Sequence, residues 1–133
     1  MEGVVVSVEL RMLAWSMVLG LIQILLQAHS ASLQVGYRWT AFAREARPPL
    51  TGVAGRLERA LHNFLETFPL FAAAVLIVHV AGREGPLSAT GAALYLAGRV
   101  AYVPLYAAAV PLLRSLAWNV AFVGIALILL TLF

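Results

Sequence analysis

The chain has no cysteine, no lysine and very little charge of either sign. Without cysteine, its 133 residues can hold no disulfide, no thiolate nucleophile and no Cys-based metal site. Only 11% of the residues are charged, less than half of the roughly 25% carried by an ordinary soluble domain. A water-soluble globule cannot clothe its surface with so few charges, and that class is excluded. The balance of +3 and a pI near 10.0 would suit a nucleic-acid partner. Yet all nine basic residues are arginines scattered singly, with no patch to follow a phosphate backbone. Nucleic acid is therefore not expected as a partner.

Apolar residues are what the chain has in quantity, at 62% and a mean hydropathy of +0.92. A hydrocarbon core about 30 Å thick needs about 20 mostly apolar residues per helix. Four such stretches fit, at about 10–33, 56–81, 87–109 and 112–133. The breaks between them are chemically marked. Arg38, Arg44, Glu45, Arg47 and the Pro48-Pro49 pair fill the first, and Gly82-Arg83-Glu84-Gly85-Pro86 reads as a turn. Pro111 and Arg114 interrupt the last apolar run. Residues 1–133 are thus expected to form one domain, an all-α membrane protein folded as an antiparallel four-helix bundle. Ala28-His29-Ser30-Ala31 after an apolar run imitates a signal-peptide cleavage site, but Gln23 and Gln27 interrupt the run and three more spans follow. The first segment is expected to be a retained helix.

Loop charge sets the expected orientation. Arg38, Arg44 and Arg47, followed by Arg56 and Arg59 and joined by Arg114, lie at one end of the bundle. The other end has Arg11 and Arg83, offset by Glu2, Glu9 and Glu84. The excess of arginine places the 34–55 loop and the 110–114 turn in the cytoplasm and both termini outside. Tyr37 and Trp39 suit the interface on that side or a packed position.

The informative residues are the polar ones inside the spans. Arg59, Asn63 and Glu66 recur at helical spacing in the second span, and Tyr95, Arg99, Tyr102 and Tyr106 do so in the third. Ser16, Gly20, Gln23, Gln27, Ser30 and Gln34 form a milder stripe in the first. A charge at a helix centre costs at least about 2.5–3.5 kcal/mol on insertion scales, so Glu66 and Arg99 need partners or water. A structural ion pair would satisfy them; so would a polar pocket for an anionic ligand, which the excess of cations favours. Counting about ten residues, or ~15 Å, inward from the cytoplasmic side on each helix sets Glu66 against Arg99, Asn63 against Tyr102 and Arg59 against Tyr106. Removing Glu66 is then expected to strand Arg99. Ala89, Ala93, Ala97 and Ala101 form a small-residue series suited to close helix packing. Pro104 is placed to bend the third span. His29, His62 and His79 lack ligand spacing, and no metal is expected.

The run from Leu57 to Phe71, L-E-R-A-L-H-N-F-L-E-T-F-P-L-F, resembles the second-helix signature E-R-x-x-x-N-x-x-E of the MAPEG family, the membrane-associated proteins in eicosanoid and glutathione metabolism. Leu33-Gln34-Val35 and Pro48-Pro49-Leu50-Thr51 resemble the first-helix end and cytoplasmic loop of the family's leukotriene-synthase branch. Gly98-Arg99-Val100-Ala101-Tyr102 with Tyr106 resembles its third-helix segment R-x-x-Y-x-x-x-Y. The resemblance implies a homotrimer of four-helix subunits in a membrane, here a bacterial inner membrane. It implies glutathione bound as cosubstrate between subunits and reached from the cytoplasm. Arg59, Asn63, Glu66, Arg99, Tyr102 and Tyr106 coincide with glutathione-contacting positions. Two carboxylates and one ammonium suit several arginines, one glutamate and hydroxyls.

The sequence also departs from the pattern. Leu61 and Thr67 stand where relatives carry Gln and Tyr, and Arg38 alone stands for an arginine pair, displaced by one residue. The arginine that activates the thiol falls at Leu113, with Arg114 beside it as the candidate catalytic residue. A membrane glutathione transferase or peroxidase acting on lipophilic electrophiles or hydroperoxides is the leading expectation. A non-catalytic lipid- and glutathione-binding scaffold trimer is the alternative. A proton-coupled exporter of cationic drugs fits poorly, because Arg59 and Arg99 would repel its cargo.

Overall fold

A computed structural model describes residues 3, 5–41 and 48–133, which form five helices and, among the described residues, no strand. Glu2, Arg44, Glu45 and Arg47, invoked above for the loop charge, lie outside the described residues. Helix α1 runs Val8–Val35, the short α2 Tyr37–Ala41, α3 Gly52–Val80, α4 Pro86–Ala107 and α5 Pro111–Leu130. Each long helix has a local reason to start. The Ser7 hydroxyl accepts the Leu10 N–H, and Glu9 in the first turn meets the positive end of the α1 dipole. Pro86 and Pro111 occupy first-turn positions where their missing N–H costs nothing. The proline pair, not the arginines after it, sets the start of α3, four residues ahead of the expected 56. Helix α4 passes through Pro104 and closes at Ala107, two residues short of the expected 109.

Three of these helices, α1, α3 and α5, are long and apolar enough to cross a membrane. Helix α4 has the length, but Arg99 and three tyrosines dilute its hydropathy. Successive long helices run antiparallel. Gln34 near the end of α1 clasps Thr51 ahead of α3, donating to the Thr51 carbonyl at 3.2 Å and accepting its N–H at 2.8 Å. This two-way amide bond closes the loop that joins α1 to α3. A core of Leu13, Phe71, Val75, Val78, Tyr95 and Ile128 fills the half of the bundle nearer the termini.

The closest helix contact is that between α4 and α5, and it does not use the alanine series. Ala93, Ala97 and Ala101 are exposed. The packing face is instead Gly91 and Gly98, set against Gly124, Ala117 and Ala121. A Cβ at Gly91 would stand 2.5 Å from the Gly124 carbonyl oxygen, and one at Gly98 would stand 2.6 Å from that of Ala117. Only a hydrogen fits there.

At the end that carries the termini, Glu84 ties three elements together. Its carboxylate accepts the Ser7 hydroxyl at 2.7 Å and lies 3.0 Å from His79 Nδ1, while the buried Glu9 accepts the Ser88 hydroxyl. The Ser7 hydroxyl, and after it His79, hold the Glu84 carboxyl below its ordinary pKa. A depressed carboxyl contributes stability that is present above its ordinary pKa and is lost as pH falls through the lowered one. Glu84→Gln is therefore expected to flatten the acid side of the stability profile. Thermal unfolding in detergent at about pH 6 and about pH 3.5 would show it, and an unchanged slope would remove Glu84 from that role.

Candidate functional site

The expected polar residues of α3 and α4 do converge, at the end of the bundle opposite the termini, but in a different register. Arg99 Nη1 donates to Asn63 Oδ1 at 2.8 Å, the Tyr95 and Thr67 hydroxyls meet at 3.2 Å, and Tyr102 packs on Ala60. The pairing is shifted by three residues, close to one turn, from the expected one. The change runs in the direction of the earlier start of α3 and the earlier end of α4, although those shifts of four and two residues exceed the three-residue change in pairing. Arg59 still reaches Tyr106, its Nε donating to the phenol oxygen at 3.1 Å, because a long side chain spans the difference.

The expected Glu66–Arg99 ion pair does not form: no Glu66 contact to a cation lies within 4 Å among the described residues. Arg99 is wholly buried and held by other means. Its guanidinium carbon stands 4.4 Å from the Tyr102 ring centroid and 5.6 Å from that of Phe64. Two aromatic faces and one amide oxygen thus replace the carboxylate. Gly20 on α1 leaves room for this, since a Cβ there would press on the Phe64 ring at 3.0 Å. Arginine only donates, so the Asn63 oxygen must face Arg99, and its NH2 group is turned to other acceptors.

Arg56, Arg59 and Arg114 surround the last turn of α4. Arg56 Nε donates to the Ala107 carbonyl at 2.8 Å and so caps that helix. The chain then reverses sharply: Val110 N–H returns to the Leu105 carbonyl, and Ala109 takes a left-handed φ of 59°. Alanine stands here where glycine is usual. Pro111 restarts the helix at once, which sets Arg114 in the first turn of α5. Its guanidinium carbon lies 4.6 Å from the Tyr106 ring centroid, on the ring whose hydroxyl holds Arg59. Leu113 faces a different groove, with Ala97, Ala101 and Leu105. Sequence spacing alone did not reveal this meeting of Arg59 and Arg114 on one tyrosine; the signal was the Pro111 restart.

Glu66 is exposed to the side and stands with Thr67 at one end of a groove between α3 and α5. The groove has a volume of about 560 Å³ and is otherwise apolar, with Leu70, Ile77, Trp118, Phe122 and Leu129 along it. Arg38, on α2, is exposed and apart from this cluster. His29 pairs with the Tyr37 hydroxyl at 3.0 Å, and no group of three potential metal ligands occurs among the described residues. In chemical terms the site offers fixed cations and hydroxyls at a polar mouth, with an apolar groove running away from it.

A comparison with curated proteins finds no match. The MAPEG family model, however, matches residues 12–133, nearly the whole chain. That span takes in α3, α4, α5, all but the first turn of α1 and every residue of the mouth, and with three of the long helices fit to cross a bilayer this chain is an integral membrane protein of the MAPEG family.

Proposed function

We propose that the protein is a membrane glutathione transferase or peroxidase that binds glutathione at the mouth formed by α3, α4 and the start of α5. The observation that carries this reading is the approach of Arg59 and Arg114 to a single tyrosine ring. Among the described residues neither guanidinium has a carboxylate within 4 Å. Two cations gathered on one side chain, without a carboxylate partner among the described residues, favour an anionic ligand between them. Glutathione supplies two carboxylates, and Arg59 takes one of them in a charge-assisted bond. Asn63, fixed by Arg99, offers its NH2 group, and the Tyr102 and Tyr106 hydroxyls add further contacts. Arg99 is enclosed and acts through Asn63. Glu66, a carboxylate facing a membrane groove, attracts the ligand ammonium.

The chemistry follows from the thiol. Arg114 stands in the first turn of α5, where backbone N–H dipoles add to its charge and favour thiolate over thiol. The thiolate is the nucleophile toward an electrophile or a hydroperoxide that reaches it along the apolar α3–α5 groove. On this reading α4 is a fourth span, the subunits assemble as a homotrimer with glutathione between neighbours, and the mouth faces the cytoplasm of a bacterial inner membrane.

Arg59→Ala is expected to weaken glutathione binding about ten- to a hundredfold, the range for losing one hydrogen bond to a charged group. Calorimetric titration of the detergent-solubilised protein measures this. Equal affinity in parent and variant, or no binding by the parent, would overturn the reading. A parent that binds glutathione without lowering its thiol pKa would instead be the non-catalytic scaffold.

A further inference from the structure

We propose that Tyr106 is a positioning residue whose ring seats Arg114 and whose hydroxyl seats Arg59, so that one side chain sets the separation between the thiol-directed and carboxylate-directed cations. The inference rests on the glutathione reading above and assigns Tyr106 a task beyond ligand contact.

The geometry separates the two functions of the side chain. The phenol oxygen accepts from Arg59 Nε at 3.1 Å, while the Arg59 guanidinium carbon stays 5.9 Å from the ring centroid. Arg114 does the reverse: it lies 4.6 Å from the centroid and makes no side-chain hydrogen bond or ion pair among the described residues. Among the described residues, the ring is its one anchor. Arg114 needs one, because a cation in the first turn of a helix is repelled by the positive end of the dipole. A long arginine side chain freed from the ring would extend toward water at the membrane surface. The Tyr106 ring is itself held in place, tilted against Tyr102 at 5.5 Å and packed on the Ala60, Tyr102 and Ala117 cluster. Leu113, which stands where relatives carry the activating arginine, faces another groove. Tyr106 is thus the device that lets the neighbouring Arg114 serve the thiol. No bond to carbon forms in this step: the thiol proton leaves to water, and the guanidinium stabilises the electron pair that remains on sulfur.

Phenylalanine and leucine at position 106 separate the two anchors. Glutathione is titrated into each full-length protein in detergent, reading its Kd and, at saturation, the apparent pKa of the bound thiol from thiolate ultraviolet absorbance. Tyr106→Phe keeps the ring and loses the hydroxyl. It is expected to raise Kd about tenfold while the thiol pKa stays at the parental value. Tyr106→Leu loses both anchors and is expected also to cut the thiolate fraction at neutral pH about tenfold, with no further cut when Arg114→Ala is added. Retention of the parental thiol pKa in Tyr106→Leu overturns the inference and leaves the glutathione reading standing. Loss of thiolate in Tyr106→Phe equally overturns it, and that variant decides alone should leucine not be tolerated. A parent that fails to bind glutathione overturns the underlying reading, and the inference with it.

Discussion

Asn63→Ala is expected to destabilise the folded bundle by about 2–3 kcal/mol, more than any other single polar truncation in α3. Among the described residues, Asn63 Oδ1 is the one hydrogen-bond acceptor of the Arg99 guanidinium, which is wholly buried. Removing it leaves a cation in the core with aromatic faces and no acceptor, and the full desolvation cost of that charge then appears. Glu66→Ala, in contrast, is expected to leave stability close to parental, since Glu66 lies exposed in the α3–α5 groove and does not hold Arg99. Thermal unfolding of the two variants in one detergent decides between registers. A stable Asn63→Ala beside a collapsed Glu66→Ala would restore the Glu66–Arg99 pair. The double change Asn63→Leu with Arg99→Met should be milder than Asn63→Ala alone, because it removes the donor along with its acceptor.

Gly91→Val is expected to prevent the α4–α5 pair from closing. Its Cβ would stand 2.5 Å from the Gly124 carbonyl oxygen and 3.1 Å from the Ile128 nitrogen, both backbone atoms. A side chain can rotate away from such a clash; a backbone moves only with its helix. Overpacking against side chains already costs about 1–3 kcal/mol, and a branched residue against a backbone falls at or beyond the top of that range. Gly91→Ala should show an intermediate loss. Gel-filtration homogeneity and the unfolding midpoint read both, and a parental midpoint for Gly91→Val would mean that the helices are further apart than described.

The helices were legible in the sequence because hydrophobic length and proline position are local properties. The polar stripes were legible for the same reason: Arg59, Asn63 and Glu66 share a helix face whatever lies opposite. Register between helices was not. It depends on how the helices pack as well as on where α3 starts and α4 ends, and Arg99 meets Asn63 rather than Glu66. Composition also misled on packing. The alanine series of α4 is regular and conspicuous, yet the two glycines that let α5 approach are seven residues apart and do not form that pattern. Arg114 lay between the two cases. Its offset from the expected position was visible in the sequence. That the sharp turn and Pro111 carry it onto Tyr106 required the backbone, because a left-handed Ala109 is not signalled by residue type.

The polarity of α4 bears on how the chain becomes a membrane protein. On the four-span reading, α1 and α3 can partition from the translocon into lipid on their own hydropathy. Helix α4 carries Arg99, at about 2.5–3.5 kcal/mol, and its glycines add little hydrophobic compensation. Those same glycines fit it closely to α5, which is apolar enough for both and is separated from it by a turn of three residues. The lowest-energy route for α4 is therefore as half of a helical hairpin. On that route the contacts of its guanidinium with Tyr102 and with Asn63 of α3 form only after the hairpin has entered, and the mouth proposed for glutathione is completed last.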